Sequence, residues 1–237
     1  MFSQNKEDNL RRRLISIELL QELKTIYTYK ELSEIFNVQE SLLCRYVNGN
    51  RIPSEKQAAE IITKIKEKIT MSQILRNQIK VFDDGFIDVS NLLFFPTLLK
   101  LHLSLTLGVK INDNINKIVG IASNGLPFAT IVASIYDIPL IIAKKHKDST
   151  FLRYLEENVK ESNSVVSSIY LREDLIKKND KVVLVDDVLR SGKTLTALYN
   201  LASRAGAKIL GAIIIASGHK LPPELENKFQ IITLFRI

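Results

Sequence analysis

The sequence predicts an α/β protein in two parts: an all-α module at the N-terminus, then a domain with a mainly parallel sheet flanked by helices. Three observations carry this. Residues from about 10 to 80 show helical periodicity, with no clear strand and a single proline. From about 110 onward, short β-branched runs alternate with helix-like segments. The chain has 237 residues, 46% of them apolar, enough for one full α/β domain plus a small module.

The N-terminal part turns on "TYKELSEIFNVQESLLCRYVNGNRIPSEKQAAEIITKI". Thr28 with Glu31 three residues later reads as a capping box that starts a helix. Leu32, Ile35 and Phe36 give that helix one apolar face, Asn37 ends it, and Val38 packs inward. A second helix is expected from about Gln39 to Val47, with Leu43 and Val47 facing inward. "NGNRIPS" is turn chemistry, after which Ser54 caps a helix rich in Ala and Ile. Arg11, Arg12 and Arg13 read as a solvated helix face, and Cys44 as a small packing residue. The stretch 70–82 has no Gly or Pro, so a helix can run through it. We place the domains at 1–72 and 73–237.

In the second part, "NLLFFPTLLKLHLSLTLG" carries Pro96, Lys100 and His102, which argues for a buried helix with its flanks and against a membrane span. Strand-like runs follow at 117–122, 139–144, 164–171, 181–187, 209–217 and 230–237. Helix-like segments lie at 127–137 and 194–206. The single cysteine forms no internal disulfide, and there is no signal peptide, which together point to a reducing, cytoplasmic setting. Formal net charge is +7. Residues 1–80 hold 14 Lys and Arg against 10 Asp and Glu, and residues 81–237 hold 19 against 16, so the excess is denser in the first part. That bias suits nucleic-acid binding without requiring it.

"VVLVDDVLRSGKTL", Val182 to Leu195, carries the chemistry. An ATP/GTP phosphate loop needs glycine five residues before its Gly-Lys-Thr. Asp187 stands there, and a carboxylate would repel a triphosphate. The turn from Arg190 through Ser191, Gly192 and Lys193 to Thr194 can instead aim amides and two hydroxyls at one phosphate monoester. The dipole of the following helix adds to this. Asp186 and Asp187 can accept from two vicinal hydroxyls. Phosphate turn plus diol-binding acids describe a ribose 5-phosphate site.

This stretch resembles the signature of type I phosphoribosyltransferases, which bind 5-phosphoribosyl 1-diphosphate (PRPP). "VGIASNGLPFAT" (119–130) resembles their diphosphate loop and is closest to orotate-specific members. "AKKHKD" (143–148) is similar to their basic segment. The resemblance spans roughly residues 82–237. It implies that Asp186 and Asp187 hold the ribose hydroxyls and that Arg190, Ser191, Gly192, Lys193 and Thr194 surround the 5-phosphate. Ser123, Asn124 and Gly125 would bind diphosphate, with Lys144 or Lys145 adding charge and Mg²⁺ accompanying the diphosphate. It further implies a cis peptide at Ala122–Ser123 and a loop within 147–168 that closes over the site. That loop would contain Arg153, Glu156, Glu157, Lys160 and Glu161. Purine enzymes carry an acid near the base where this chain has Arg190, and the Lys-x-His-Gly loop pattern of orotate enzymes is absent. No metal site made of protein ligands alone is expected.

The first part resembles the helix-turn-helix of the Cro/repressor class. The resemblance places Gln39, Glu40, Ser41 and Arg45 toward base edges, and Asn48, Asn50 and Arg51 near phosphates. The order of parts is similar to archaeal orotate-phosphoribosyltransferase-like transcription regulators and analogous to the bacterial purine repressor. The resulting expectation is a DNA-binding transcriptional regulator that recognises a double-stranded operator. Its second domain would sense PRPP, a nucleotide or a related anion, dimerise the chain and carry out no catalysis. The alternative is an active phosphoribosyltransferase, for orotate or a purine, with a DNA-binding extension.

Overall fold

Five helices open the chain: α1 (Lys6–Lys24), α2 (Tyr29–Phe36), α3 (Glu40–Val47), α4 (Glu55–Lys68) and α5 (Met71–Arg76). Their limits follow from local chemistry. Thr28 accepts the Glu31 N–H while the Glu31 carboxylate accepts the Thr28 N–H at 2.7 Å, closing a capping box. Ser54 and Gln57 do the same for α4. Asn37 caps α2 in the left-handed region, at φ 49°. The computed structural model describes residues 6–107, 115–160, 164–218 and 228–237.

The chain forms two units. The first comprises residues up to Gln78 with Asn91–His102, and the second Ile79–Ser90 with Leu103–Ile237. In the first unit, α1 packs on α3 and α4, and α2 packs on the same two helices. Leu19, Leu20, Leu23, Leu32, Phe36, Leu43, Tyr46, Ile61 and Ile65 form its buried interior. Three expectations change here. Tyr46 takes the inward place expected of Val47, which is half-buried, because residues 43 and 46 share a helical face. Arg13 is not a solvated charge; its Nε donates to the Pro53 carbonyl at 2.7 Å. The stretch 70–82 is not one helix, because Ile69 is extended, α5 is short, and a strand begins at Lys80.

Helix α6 (Pro96–Leu107) starts in the first unit. The Glu22 carboxylate accepts the Thr97 and Leu98 amides at 2.7 and 2.8 Å, so a side chain of α1 satisfies the open first turn of α6. Burial raises the Glu22 pKa, and these two hydrogen bonds oppose the rise. Among the described residues no helix is long and apolar enough to cross a membrane.

The second unit is α/β. A small antiparallel hairpin, β1 (Lys80–Val81) and β2 (Ile87–Asp88), turns through Gly85 at φ 78°. The main elements are β3 (Lys117–Ile121), α7 (Leu126–Tyr136), β4 (Leu140–Ala143), β5 (Tyr154–Lys160), β6 (Val166–Arg172), β7 (Lys181–Leu189), α8 (Lys193–Arg204), β8 (Lys208–Ser217) and β9 (Gln230–Arg236). Five strands form one sheet in the order β4-β3-β7-β8-β9, every neighbouring pair parallel. Val182 to Val185 are fully buried, as a central parallel strand covered on both faces requires. Gly120 lets α7 lie close, since a Cβ there would stand 2.5 Å from the Ala129 Cβ. The run at 164–171 does not join this sheet. As β6 it pairs antiparallel with β5 in a separate ribbon, which touches β4 through one bridge from Tyr170 to Lys144.

Candidate active site

The topology fixes where a ligand can enter. From β3 the chain moves to β4 on one side, and from β7 to β8 on the other. The order therefore reverses between β3 and β7, and the loops leaving their carboxyl ends diverge. A cleft of about 440 Å³ opens there. Its walls are the β3–α7 loop (Ala122 to Gly125), the end of β7 with the following turn (Asp186 to Gly192), Thr194, Lys145 and Phe86.

Asp186 and Asp187 stand at the end of β7. Asp186 is 6% exposed, and Asp187 is half-buried. Asp186 Oδ1 accepts the Asp187 amide at 2.9 Å, and Asp187 Oδ1 accepts the Val188 amide at 2.8 Å. Burial pushes the Asp186 carboxyl well above its ordinary range; the neighbouring Asp187 adds to this, and Lys145 opposes it only in part. Hydroxyl donors or a cation arriving in the cleft would relieve that cost.

The next turn contains Gly192 at φ 72°, the left-handed region that glycine enters without strain. It also begins α8, whose first amides have no partners within the helix. Ser191, Gly192 and Thr194 line the cleft, whereas Lys193 Nζ donates to the Lys160 carbonyl at 2.6 Å. Lys193 thus ties the turn to β5 and is not among the cleft-lining residues.

The β3–α7 loop has a cis peptide at Ala122–Ser123, as the resemblance implied. Gly125 caps α7. A Cβ at Gly125 would lie 3.0 Å from Asp186 Oδ1 and 3.3 Å from the Ile121 carbonyl, so only glycine lets this loop close on the acids. The two candidate lysines separate. Lys145 lines the cleft, but Lys144 points to Asp148 at 2.8 Å in a smaller cavity bounded by Tyr154, Tyr170 and Arg172.

The segment expected to hold a closing loop contains part of a ribbon, residues 154–160 and 166–168. Strands β5 and β6 pair over seven residues. Arg204 donates to the Glu156 carbonyl and the Glu157 carboxylate, and Asn200 donates to Glu157, so α8 holds β5. Glu161 lies outside the described residues. Sequence reasoning missed Phe86, whose ring forms one wall of the cleft, with the Arg190 Cζ 4.4 Å from its centroid. The signal was present in "FDDGF", two aromatics about an Asp-Gly turn. Among the described residues, no cluster of three or more His, Cys, Asp or Glu could hold a metal unaided.

Residues 102–234, more than half of the chain, match the phosphoribosyl transferase domain, and the chain belongs to that family. Xanthine phosphoribosyltransferases of Streptococcus pyogenes, from strain Manfredo (serotype M5) and strain NZ131 (serotype M49), are each 32% identical over 103 residues. The match covers 43% of this chain and 53% of theirs, so the chain spans about half the length of the curated relatives it matches. Adenine phosphoribosyltransferase from Rhodothermus marinus superposes with a TM-score of 0.61 at 24% identity, over 71% of this chain and 99% of that one. The enzyme from Giardia lamblia complexed with 9-deazaadenine gives 0.62 at 23%, over 70% and 97%. At such identities these two establish the fold.

These relatives overturn the expected DNA-binding transcriptional regulator and its operator partner, because they are named as purine phosphoribosyltransferases. Gln39, Glu40, Ser41, Arg45, Asn48, Asn50 and Arg51 are all exposed on α3 and its flanks. A helical shape and exposed polar side chains do not by themselves carry a function. An excess of four positive charges over 80 residues is also slight against the many phosphate contacts that hold a duplex.

Proposed function

We propose that the chain is an active phosphoribosyltransferase that joins a purine base to the ribose of PRPP. The carrying observation is the convergence in one cleft of a phosphate turn, two strand-end acids and an amide-bearing loop. The names of its relatives favour a purine as acceptor over orotate. We assign the transfer to the second unit, which supplies every residue lining the cleft.

In this reading the 5-phosphate sits on the turn at 191–194, held by the amides at the start of α8 and the hydroxyls of Ser191 and Thr194. Asp186 and Asp187 accept from the ribose 2- and 3-hydroxyls. Ser123, Asn124 and Gly125 present amides to the diphosphate, and Lys145 adds positive charge. The C1–oxygen bond to diphosphate breaks, a bond from C1 to the purine N9 forms, and the N9 proton leaves to solvent. The strand-end carboxylates face the positive charge that develops on the ribose, and the loop amides face the negative charge that develops on the leaving oxygen.

The residues present fit Mg²⁺ as a companion of the diphosphate. Two adjacent carboxyls, one of them held above its ordinary pKa by burial, would gain from a cation, although they cannot hold one alone. Bound there through Asp187 and the donor's oxygens, Mg²⁺ would supply charge neutralisation of the leaving group.

The test is direct. The full chain is incubated with PRPP, Mg²⁺ and xanthine, hypoxanthine, guanine, adenine or orotate, and nucleotide and diphosphate are quantified. Stoichiometric nucleotide with at least one purine is expected. PRPP binding with no nucleotide from any base would refute transfer.

A further inference from the structure

The cleft contains a group that its proposed function does not explain. Of the apolar side chains lining it, Ile121, Leu189 and Leu195 are buried, Ala122 and Val188 are half-buried, and Phe86, the one aromatic ring among them, is 40% exposed. Phe86 is therefore the aromatic surface that the cleft offers to a flat ring. The Arg190 guanidinium already lies on that ring, 4.4 Å from its centroid, within reach of a cation–π contact. Its side chain is exposed, at the junction between β7 and the phosphate turn. A base that enters against Phe86 meets Arg190 by stacking on the guanidinium or by drawing it to the edge of the base.

We propose that Arg190 reads the base and selects oxopurines over 6-aminopurine. This deepens the proposed function and rests on it, since it takes the cleft as a nucleobase site. A guanidinium is planar, always charged and offers only donors. The carbonyl at C6 of xanthine, hypoxanthine or guanine, with N7 beside it, presents two acceptors that match the fork. At C6 of adenine an amino group presents donors, so donor faces donor and one is left unpaired in a partly desolvated site. A site built on hydrogen bonds to the substrate discriminates strongly against an analogue that cannot complete them. The resemblance drawn from the sequence gives Arg190 to the 5-phosphate instead. The two roles differ in what they control: one the base, the other the donor.

The experiment uses the full chain with Mg²⁺. It compares kcat/KM for xanthine, hypoxanthine and adenine, and KM for PRPP, in the wild type, Arg190→Gln and Phe86→Leu. The wild type is expected to prefer both oxopurines. Arg190→Gln should shrink the oxopurine-to-adenine ratio by about tenfold or more, with the PRPP KM little changed. Phe86→Leu should weaken all three bases together. Adenine preferred by the wild type would overturn the proposal. So would an Arg190→Gln ratio that holds while the PRPP KM rises, because Arg190 would then be a phosphate ligand. If no base is turned over, transfer itself fails, and selectivity is read by calorimetric titration of the PRPP-loaded chain with xanthine and adenine. Tighter xanthine binding that Arg190→Gln abolishes supports the proposal, and equal affinities overturn it.

Discussion

Asp180 and Asp186 sit at opposite ends of one strand, and both are buried, at 8% and 6% exposed. They behave in opposite ways. Asp180 precedes β7, pairs with Lys117 Nζ at 2.7 Å, and accepts from the Lys177 amide and the Asn116 side chain. Burial alone would raise its pKa, yet these partners hold it below the ordinary value. Asp186 lies in the carboxyl-terminal half of β7 beside a second carboxylate, and burial with that neighbour drives it up. The first acid is satisfied by partners within the fold, and the second faces the cleft beside another acid. In an open parallel sheet the carboxyl ends of the strands form the ligand crevice, so the tolerated cost lies at the end where binding is expected.

The largest effect should come from the cleft end. Asp187→Asn is expected to lower kcat/KM for nucleotide formation by about 10²–10³-fold with the fold retained, as steady-state kinetics and circular dichroism would register. Loss of folding with that loss of rate would erase the contrast between the two ends. Gly125→Ala comes next. Its methyl group would press on Asp186 Oδ1, and the PRPP KM should rise about tenfold or more. At the other end, Asp180→Asn should cost about 2 kcal/mol of stability in denaturant titration, with PRPP binding intact.

The pH dependences have opposite signs. Asp180 has a lowered folded pKa, so its stabilisation is present above the ordinary carboxylate range near pH 4 and is lost as pH falls through the folded value. Asp186 has a raised one, so its contribution is greatest at low pH and is lost as pH rises through the folded value. Ribose hydroxyls favour the ionised carboxylate. PRPP affinity should therefore rise with pH through the Asp186 titration, and Asp186→Asn should flatten that profile in calorimetry. The smallest effect is expected far from the cleft. Ser54→Ala removes one capping box and should cost about 1 kcal/mol with turnover unchanged.

Much of this was legible in the sequence, because it rests on short-range chemistry. The α2 and α4 caps are four-residue patterns, and the central strands are continuous β-branched runs. The proposed ribose 5-phosphate site is one contiguous stretch of sequence, so most of its residues come together whatever the tertiary fold, Lys193 excepted. What escaped depends on long-range packing. Residues 154–160 read as a charged loop because β5 is a half-exposed ribbon strand, stabilised by β6 and by α8 side chains more than forty positions away. Lys144 and Lys145 look equivalent in text, and the alternation of a strand end sends them to different cavities. Phe86 joins the cleft across about a hundred residues of sequence; "FDDGF" announces a hairpin there but not the cleft it reaches. The regulator expectation failed for another reason: the order of modules was read as function, when the chemistry resides in the cleft.

Asp186→Asn tests the account most directly, with turnover and denaturation midpoint measured on the same preparation. The account predicts a midpoint at neutral pH equal to or above that of the wild type, because the amide cannot take on the charge that burial and Asp187 disfavour, and a large loss of nucleotide formation from PRPP and purine. Retained turnover with a lowered midpoint would make Asp186 a structural acid like Asp180 and contradict the assignment of this end of the strand to binding.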